Sequence, residues 1–219
     1  MMAPPDPVVF DLDGTLIDSR DAIVATVEHA CQALHIPSPS RKAILDGVGL
    51  PLATMFERLF CNEPSGRRSE LVEAYKTSWL AFADPLLRPY AGALELVHSL
   101  HREGRSVGIA TSKSRRGLDR VLDRYAMRDL IGGHRSVDEA RAPKPAPHML
   151  IDLLADLDGD TDRAVMIGDS SYDMGMARAA GVRAIGVTWG VHDAERLLEA
   201  GADEIVTSVD ALAVRLGVL

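Results

Sequence analysis

Short apolar runs rich in β-branched residues recur along the chain, and from position 90 onward stretches with helical spacing separate them. The strong runs lie at Val8–Phe10, 106–110, 164–167, 184–187 and 205–206, with a weaker one at 135–137. Between them, Leu94, Val97 and Leu100 follow the helical period, and so does the stretch 118–125. This alternation of strand and helix predicts an α/β protein with a mainly parallel sheet and right-handed crossovers.

The interval between the first two strong runs breaks this rhythm. It spans about 95 residues, whereas a single strand–helix–strand unit needs only about 30. Apolar stripes at helical spacing occupy it at 23–34, 52–59 and 71–82, with prolines between them. No strand is predicted there, so we infer an inserted helical domain. The predicted division is a core at 1–17 and 87–219 and a helical insert at 18–86.

Polar residues follow the apolar runs at the points where the predicted strands end. They are Asp11 and Asp13 after the first strand, Thr111 and Ser112 after the second, Lys144 after the weak third, and Asp169 and Asp173 after the fourth. In open parallel sheets, ligands bind at the carboxyl ends of the strands. We therefore expect four carboxylates, two hydroxyls and a lysine to meet at one edge of the sheet.

This set of side chains has a chemical logic. Several carboxylates a few Å apart cannot all stay ionised without a counter-charge, and Mg²⁺ with oxygen ligands supplies one. A further carboxylate is then free to attack a phosphoryl group. Asp13 points to the same side as Asp11 in an extended segment, so it could protonate the leaving oxygen and then activate water. Thr111 or Ser112 can donate hydrogen bonds to phosphoryl oxygens, and Lys144 adds positive charge.

Each residue also has a structural interpretation when it is taken alone. Asp11 could belong to a turn at the strand end, and Asp173 stands at the spacing of a capping box. Thr111 and Ser112 could cap the next helix, and a lysine between prolines is usually a solvated loop charge. The convergence of four strand ends favours the functional interpretation over these alternatives.

The charge balance limits the partners that we expect. The chain has 219 residues, with 24 basic and 32 acidic side chains and a net charge of −8, which argues against binding nucleic acid or an anionic membrane. The basic residues Lys113, Arg115 and Arg116 are interpreted as a solvated helix start that could attract an anionic substrate. The expected partner comes from the phosphoryl chemistry of the strand-end residues and is a small phosphorylated metabolite; the oligomeric state is left open.

The expected compartment is the cytoplasm. No uncharged apolar run approaches the ~18 residues that cross a bilayer, and the start lacks the basic and apolar regions of a secretory signal. Cys31 and Cys61 are too few for a disulfide framework. These features favour a reducing environment.

Four segments together resemble the motifs of phosphatases of the haloacid dehalogenase superfamily. Residues 10–19 (FDLDGTLIDS) resemble the first motif, 111–112 (TS) the second, 144–145 (KP) the third and 168–173 (GDSSYD) the fourth, in the family's order. The resemblance spans essentially the whole chain. It implies a Rossmann-like core with an α-helical cap inserted after the first motif, in agreement with the insert inferred from the spacing.

The resemblance also implies roles for the residues at these positions. Asp11 would accept the phosphoryl group and Asp13 would be the general acid and base. Mg²⁺ would be bound by the Asp11 carboxylate, the Asp13 main-chain carbonyl and Asp169, with Asp173 supporting the metal or its waters. The groups that would hold the phosphoryl group are Thr111 or Ser112 and Lys144.

Two further stretches bear on the substrate. Residues 49–52 and 186–190 resemble phosphoglycolate-phosphatase-like members, although related pyrophosphatases share similar features, so phosphoglycolate is the first expected substrate and pyrophosphate an alternative. Both stretches could also be ordinary turns.

Other reactions of the superfamily fit less well. Dehalogenases lack the second aspartate because a halide leaving group needs no proton, so Asp13 disfavours that reaction. A mutase resembling β-phosphoglucomutase would carry a histidine near the position that Ile23 occupies. A phosphonate hydrolase would carry a cap lysine, and residues 47–57 contain none. A non-catalytic phosphoacceptor is a third class, and it would have no need of Asp13.

Overall fold

Strands and helices alternate along residues 4–218, which the computed structural model describes apart from the side chains of residues 82 and 84. The strands are β1 (Val8–Phe10), β2 (Ile17–Asp18), β3 (Arg88–Pro89), β4 (Val107–Ala110), β5 (Gly133–Arg135), β6 (Val165–Gly168), β7 (Arg183–Val187) and β8 (Glu204–Val206). The helices are α1 (Arg20–Ala33), α2 (Arg41–Asp46), α3 (Leu52–Leu59), α4 (Ser65–Ser78), α5 (Ala93–Arg102), α6 (Arg115–Arg124), α7 (His148–Asp156), α8 (Ser171–Ala180), α9 (Ala194–Ala200) and α10 (Val209–Leu216). Residues 1–3 and 219 of the predicted core lie outside the described residues.

Six of these strands form one parallel sheet in the order β5-β4-β1-β6-β7-β8. The central strand β1 pairs with β4 through Val8 and Val107 on one side, and with β6 through Val8 and Val165 on the other. From β1 the chain builds outward to β5 and then crosses to β6, so the strand order reverses beside β1. Ligands bind at such a reversal, outside the carboxyl ends of the strands.

Helices cover both faces of the sheet, which explains why its strands are continuous apolar runs. Val8 and Phe10 face a cluster that includes residues of α5, α6 and α10. Val9 points to the opposite face, because side chains alternate along a strand, and packs in a cluster with residues of α7, α8 and α9. This architecture confirms the predicted α/β class with a Rossmann-like core.

Helices α1 to α4 lie between β2 and β3 and form a cap with its own apolar cluster. Val27, Ile44, Phe56 and Leu71 are buried in this cluster, which also includes Tyr172 from the first turn of α8. The cap therefore packs against the carboxyl edge of the sheet. The inserted helical cap of the predicted fold class is confirmed, whereas the domain limits at 18 and 86 stay a prediction.

Some elements differ from the sequence-based expectation. A short antiparallel ribbon joins β2 to β3, with Ile17 opposite Pro89, where no strand was predicted, because two-residue strands leave no periodic pattern. The weak third strand lies at Gly133–Arg135 and not at 135–137. The last cap helix begins at Ser65, before the expected start at 71, and continues as a π-helical segment at Trp79–Ala83. Its polar first turn carries no apolar stripe, so the periodicity does not predict that start.

Along the described part of the chain, no helix combines the length and the apolar character needed to cross a bilayer.

Candidate active site

Three buried aspartates from two strand ends meet at the carboxyl edge of the sheet. Asp11 follows β1, Asp169 follows β6, and Asp173 lies in the first turn of α8. One carboxylate oxygen from each lies within 4.8 Å of the others. We call Asp11, Asp169 and Asp173 the carboxylate cluster. Residues that are far apart in sequence therefore lie close together, as the strand-end rule predicts.

Lys144 provides the positive charge beside this cluster. Its Nζ lies 2.7 Å from Asp11 Oδ1 and 2.5 Å from Asp173 Oδ1, and the residue is only 1% exposed. Burial alone would lower the pKa of Lys144, but the two carboxylates outweigh it and the pKa is raised. The interpretation of Lys144 as a solvated loop charge is therefore wrong.

Burial and mutual repulsion shift the pKa values of the carboxylate cluster, whose oxygens could hold a cation. Burial raises the pKa of Asp11 to about 7, although Lys144 opposes the rise and Asp173 adds to it. Burial and then the charges of Asp11 and Asp173 raise the pKa of Asp169 well above its ordinary value. One lysine therefore does not compensate the three carboxylates fully, and these hard oxygen donors suit a divalent cation such as Mg²⁺.

Asp169 is held in place by two donors and by two glycines. Thr15 Oγ1 donates to its Oδ1 at 2.9 Å, and the Val191 amide donates to its Oδ2 at 2.9 Å. A Cβ at either Gly14 or Gly190 would lie 2.1 Å from Asp169 Oδ2. Gly14 also has a φ of +94°, which side chains rarely adopt. The stretch 186–190 is therefore more than a turn, because its last residue must be small to admit the Asp169 carboxylate.

We expect Gly190→Ala to lower kcat/KM by roughly 10²-fold, because a displacement of about 1 Å at an active site can cost that much. The added Cβ would also lie 2.2 Å from Asp169 Cβ, so the aspartate cannot escape by rotating its end alone. The matched control is Gly66→Ala in α4, where no atom lies within 4 Å of the added Cβ. Steady-state kinetics of both variants check this, and equal activity of the two would contradict the packing argument.

Asp173 serves the backbone and the cluster at once. Its Oδ2 accepts hydrogen bonds from Ser170 Oγ at 2.5 Å and from the Ser170 amide at 3.1 Å, which completes a capping box at the start of α8. Its other oxygen, Oδ1, faces Lys144. The capping interpretation is thus correct for one oxygen and leaves the second available to the cluster.

Thr111 and Ser112 follow β4 and line the same cavity as Asp11. They do not cap the next helix, because Ser114 occupies that position and accepts a hydrogen bond from the Gly117 amide. Ser112 Oγ instead donates to the Gly49 carbonyl at 2.6 Å, which joins the core to the cap. The stretch 49–52, which resembles phosphoglycolate-phosphatase-like members, therefore contacts the predicted phosphate-binding residue Ser112 through Gly49.

Asp13 faces Lys113, a residue whose part in the site sequence reasoning missed. Lys113 Nζ lies 2.8 Å from Asp13 Oδ2 and 3.1 Å from Oδ1, and 4.4 Å from the ring centre of Trp79 in the cap. The lysine side chain is 10% exposed, so the interpretation as a solvated helix start is wrong for it. The signal was its position directly after Thr111 and Ser112, at the same strand end.

A cavity of about 460 Å³ lies between this strand edge and the cap. Its core side is lined by Asp11, Asp13, Thr111, Ser112 and Lys113. Carboxylates that can act as nucleophile and as acid, beside the buried Lys144 and the half-buried Lys113, suit the transfer of a group to water. A parallel α/β core with such a site under a helical cap is the architecture of a cap-bearing hydrolase.

The chain belongs to the haloacid dehalogenase-like hydrolase family, whose sequence model matches residues 8–187. It is 32% identical over 207 residues to a probable phosphatase, IndB, of Dickeya dadantii, which covers 91% of this chain and 88% of the relative. It is 28% identical over 211 residues, 96% of each chain, to the pyrophosphatase PpaX of Halalkalibacterium halodurans. Family and relatives together show an enzyme, a hydrolase that acts on phosphate esters.

Solved structures share the whole fold. A structure described as a predicted phosphatase from Clostridium acetobutylicum matches with a TM-score of 0.86 at 28% identity, covering 98% of this chain and 99% of its own. A structure described as a predicted phosphoglycolate phosphatase from Haemophilus somnus matches with a TM-score of 0.89 at 19% identity, covering 98% and 99%. At that identity the second likeness shows the fold alone.

Proposed function

We propose that this protein is a Mg²⁺-dependent phosphatase of small phosphate monoesters that works through an aspartyl-phosphate on Asp11. The observation that supports this most is the position of Asp11, which contacts Lys144 in the buried carboxylate cluster and lines the cavity together with Asp13. This arrangement supports the assignment of Asp11 as nucleophile, Asp13 as acid and Lys144 as counter-charge. Phosphoglycolate is the first substrate to test.

The carboxylate cluster fits Mg²⁺ by the chemistry of its donors. The close approach of three carboxylate oxygens, all of them hard donors, favours a small, hard cation. Asp11, Asp169 and Asp173 would hold it, together with the main-chain carbonyl of Asp13. When bound, Mg²⁺ would supply positive charge that stabilises the phosphoryl oxygens.

In the first step the Asp11 carboxylate attacks phosphorus and forms the acyl-phosphate bond. The bond between phosphorus and the ester oxygen breaks, and Asp13 donates a proton to that oxygen, so the alcohol leaves neutral. Lys144 offsets charge on the phosphoryl group, and Thr111 or Ser112 donates a hydrogen bond to it.

In the second step Asp13, now ionised, takes a proton from water, which attacks phosphorus. The bond to Asp11 breaks, inorganic phosphate leaves and the Asp11 carboxylate is restored. Lys113 pairs with Asp13 in the ionised form that this second step uses, so we assign it a positioning role here. The cap excludes bulk water while the acyl-phosphate exists.

Pyrophosphatase activity is the second candidate function. Pyrophosphatases occur among the relatives at 28% identity, and Lys113 and Arg116 line the cavity, where they could meet a second phosphate group. A sugar-phosphate mutase has less support, because Ile23 of α1 lines the cavity at the place where a histidine would be expected.

The test is phosphate release from phosphoglycolate, other monoesters and pyrophosphate, with Mg²⁺ and with EDTA. We expect turnover of at least one monoester that EDTA abolishes and added Mg²⁺ restores. Turnover that EDTA leaves unchanged, or no release from any monoester, would contradict the proposal. Exclusive hydrolysis of pyrophosphate would favour the second candidate.

Metal binding also has a readout that does not depend on turnover. Mg²⁺ at about 100 times its Kd should stabilise the fold by about 2.7 kcal/mol, which raises Tm. We expect this rise to be lost in Asp169→Asn and kept in Asp162→Asn, an exposed carboxylate outside the site. An equal rise in both variants would place the metal elsewhere.

A further inference from the structure

The cavity has an apolar side that phosphoryl transfer itself does not require. The cap contributes it from α1, the turn before α3, α3, α4 and the π-helical segment. Its members include Ile23, Leu50, Leu52, Met55, Val72 and Leu80. Five parts of the cap thus contribute apolar side chains to the lining of the cavity that Asp11 also lines.

This apolar side is a built wall and not a loose cap surface. Ile23, Leu50 and Met55 are buried in the apolar cluster of the cap while they line the cavity. Two aromatic rings extend the wall, because Tyr75 and Trp79 stack with ring centres 5.8 Å apart and both line the cavity. Apolar side chains that face a cavity favour an apolar occupant, since contact with it removes them from water.

The opposite side of the cavity is charged. Lys113, Arg116 and Arg120, at the start of α6 and along it, line that side together with Asp138 and the carboxylates Asp11 and Asp13. The ammonium and guanidinium groups on this side attract a phosphate dianion. The cavity is therefore divided into a charged side that includes the proposed catalytic carboxylates and an apolar side beneath the cap.

We infer that the substrates are phosphate monoesters whose alcohol carries an apolar group, a short alkyl chain or a single ring, that packs against the cap wall. This inference rests on the proposed phosphatase function and narrows its substrate class. Phosphoglycolate and pyrophosphate leave the wall uncovered, because the second charged group of each would lie toward Lys113 and Arg116 and its contact with apolar side chains would carry a desolvation cost. The cavity of about 460 Å³ falls within the range of sites that enclose ligands larger than these.

A homologous series of n-alkyl phosphates tests this directly. Ethyl, butyl and hexyl phosphate present the same phosphate and nearly the same leaving group, so differences in kcat/KM report contact with the wall. We expect kcat/KM to rise about fourfold for each methylene that the wall covers, and hexyl phosphate to exceed phosphoglycolate and pyrophosphate. A flat or falling series, with ethyl phosphate or phosphoglycolate hydrolysed, would overturn the inference while leaving the phosphatase function intact.

A binding measurement keeps the two failures distinct. Ethylphosphonate and hexylphosphonate have no ester bond to hydrolyse, and calorimetric titration with Mg²⁺ present compares their Kd values. Tighter binding of hexylphosphonate, by at least about tenfold, supports the apolar wall even if no ester is turned over. Equal Kd values would overturn the inference, whether or not the protein is a phosphatase.

Variants of the wall link the preference to these side chains. Val72→Thr and Leu80→Gln should each lower the ratio of hexyl to ethyl phosphate kcat/KM several-fold, and neither residue is fully buried. The matched controls are Val214→Thr in α10 and Leu198→Gln in α9, which are exposed and do not line the cavity. If the controls lowered the ratio as much as the wall variants, the preference would not come from this wall.

Discussion

Asp11→Asn abolishes phosphate release, with an expected fall in kcat on the order of 10⁴–10⁶-fold, as for the loss of a nucleophile in other enzymes. The amide is a poor nucleophile and cannot form the acyl-phosphate through which the two steps are linked. Steady-state release of phosphate measures the residual rate of the variant. Wild-type protein diluted to the detection limit gives the smallest rate that the assay can measure. An Asp11→Asn protein within tenfold of the wild-type rate would rule out Asp11 as the phosphoryl acceptor.

The same variant should keep its fold. Burial raises the pKa of Asp11 from its ordinary 3.8 to about 7, so the folded protein holds this proton more tightly than the unfolded chain. Ionisation therefore destabilises the metal-free fold as pH rises from about 4 to 7, and asparagine removes that cost. Metal-free Asp11→Asn should have a Tm equal to or above that of the wild type at pH 8, with the difference shrinking toward pH 4. Asp21→Asn, an exposed carboxylate, is the control for both readouts.

Lys144→Met should damage stability and catalysis together. The substitution leaves Asp11 and Asp173 facing each other without their buried counter-charge, and breaking a buried ion pair costs about 3–5 kcal/mol. For a protein of this size that lowers Tm by roughly 6–20 °C. Loss of one group that stabilises the transferring phosphoryl should also lower kcat by about 10²–10³-fold.

Thermal and urea unfolding without metal measure the first effect. Lys42→Met is the control, because that side chain is 84% exposed and its loss should change stability by less than about 0.5 kcal/mol. The double variant of Asp11→Asn with Lys144→Met should lose less than the two single changes summed, since one carboxylate is then already neutral. Additive losses, or an unchanged Tm in Lys144→Met, would show that the ion pairs carry little energy.

The position of a residue at a strand end predicts its place in the fold when the residue directly follows the strand. Asp11, Asp169 and Thr111 each follow a short buried apolar run, and the carboxyl ends of neighbouring parallel strands lie at one edge. Lys113 follows the same strand end as Thr111, but its position does not show that it pairs with a carboxylate 100 residues away. No comparable rule reaches Gly190, which matters through the space that its missing side chain leaves for Asp169.

Single-residue interpretations failed where two functions share one side chain. By sequence, Asp173 fits either a helix-capping residue or a metal-site residue; in the structure one oxygen caps α8 and the other contacts Lys144. By sequence, Ser112 fits a helix-capping residue or a phosphate donor; in the structure its hydroxyl joins the core to the cap domain at Gly49. A sequence motif names the residue but not the partners of each of its atoms, because those partners come from other elements.

The amino-acid sequence by itself determined the class of fold, the inserted helices and the set of residues that could carry the chemistry, because periodicity and strand-end position are local properties of the chain. Tertiary structure alone decided how those residues are paired. Lys144 lies beside Asp11, 133 residues away, only because the strand order reverses next to β1. It likewise decided the shape of the cavity, since an apolar wall built from five cap segments depends on how those segments pack.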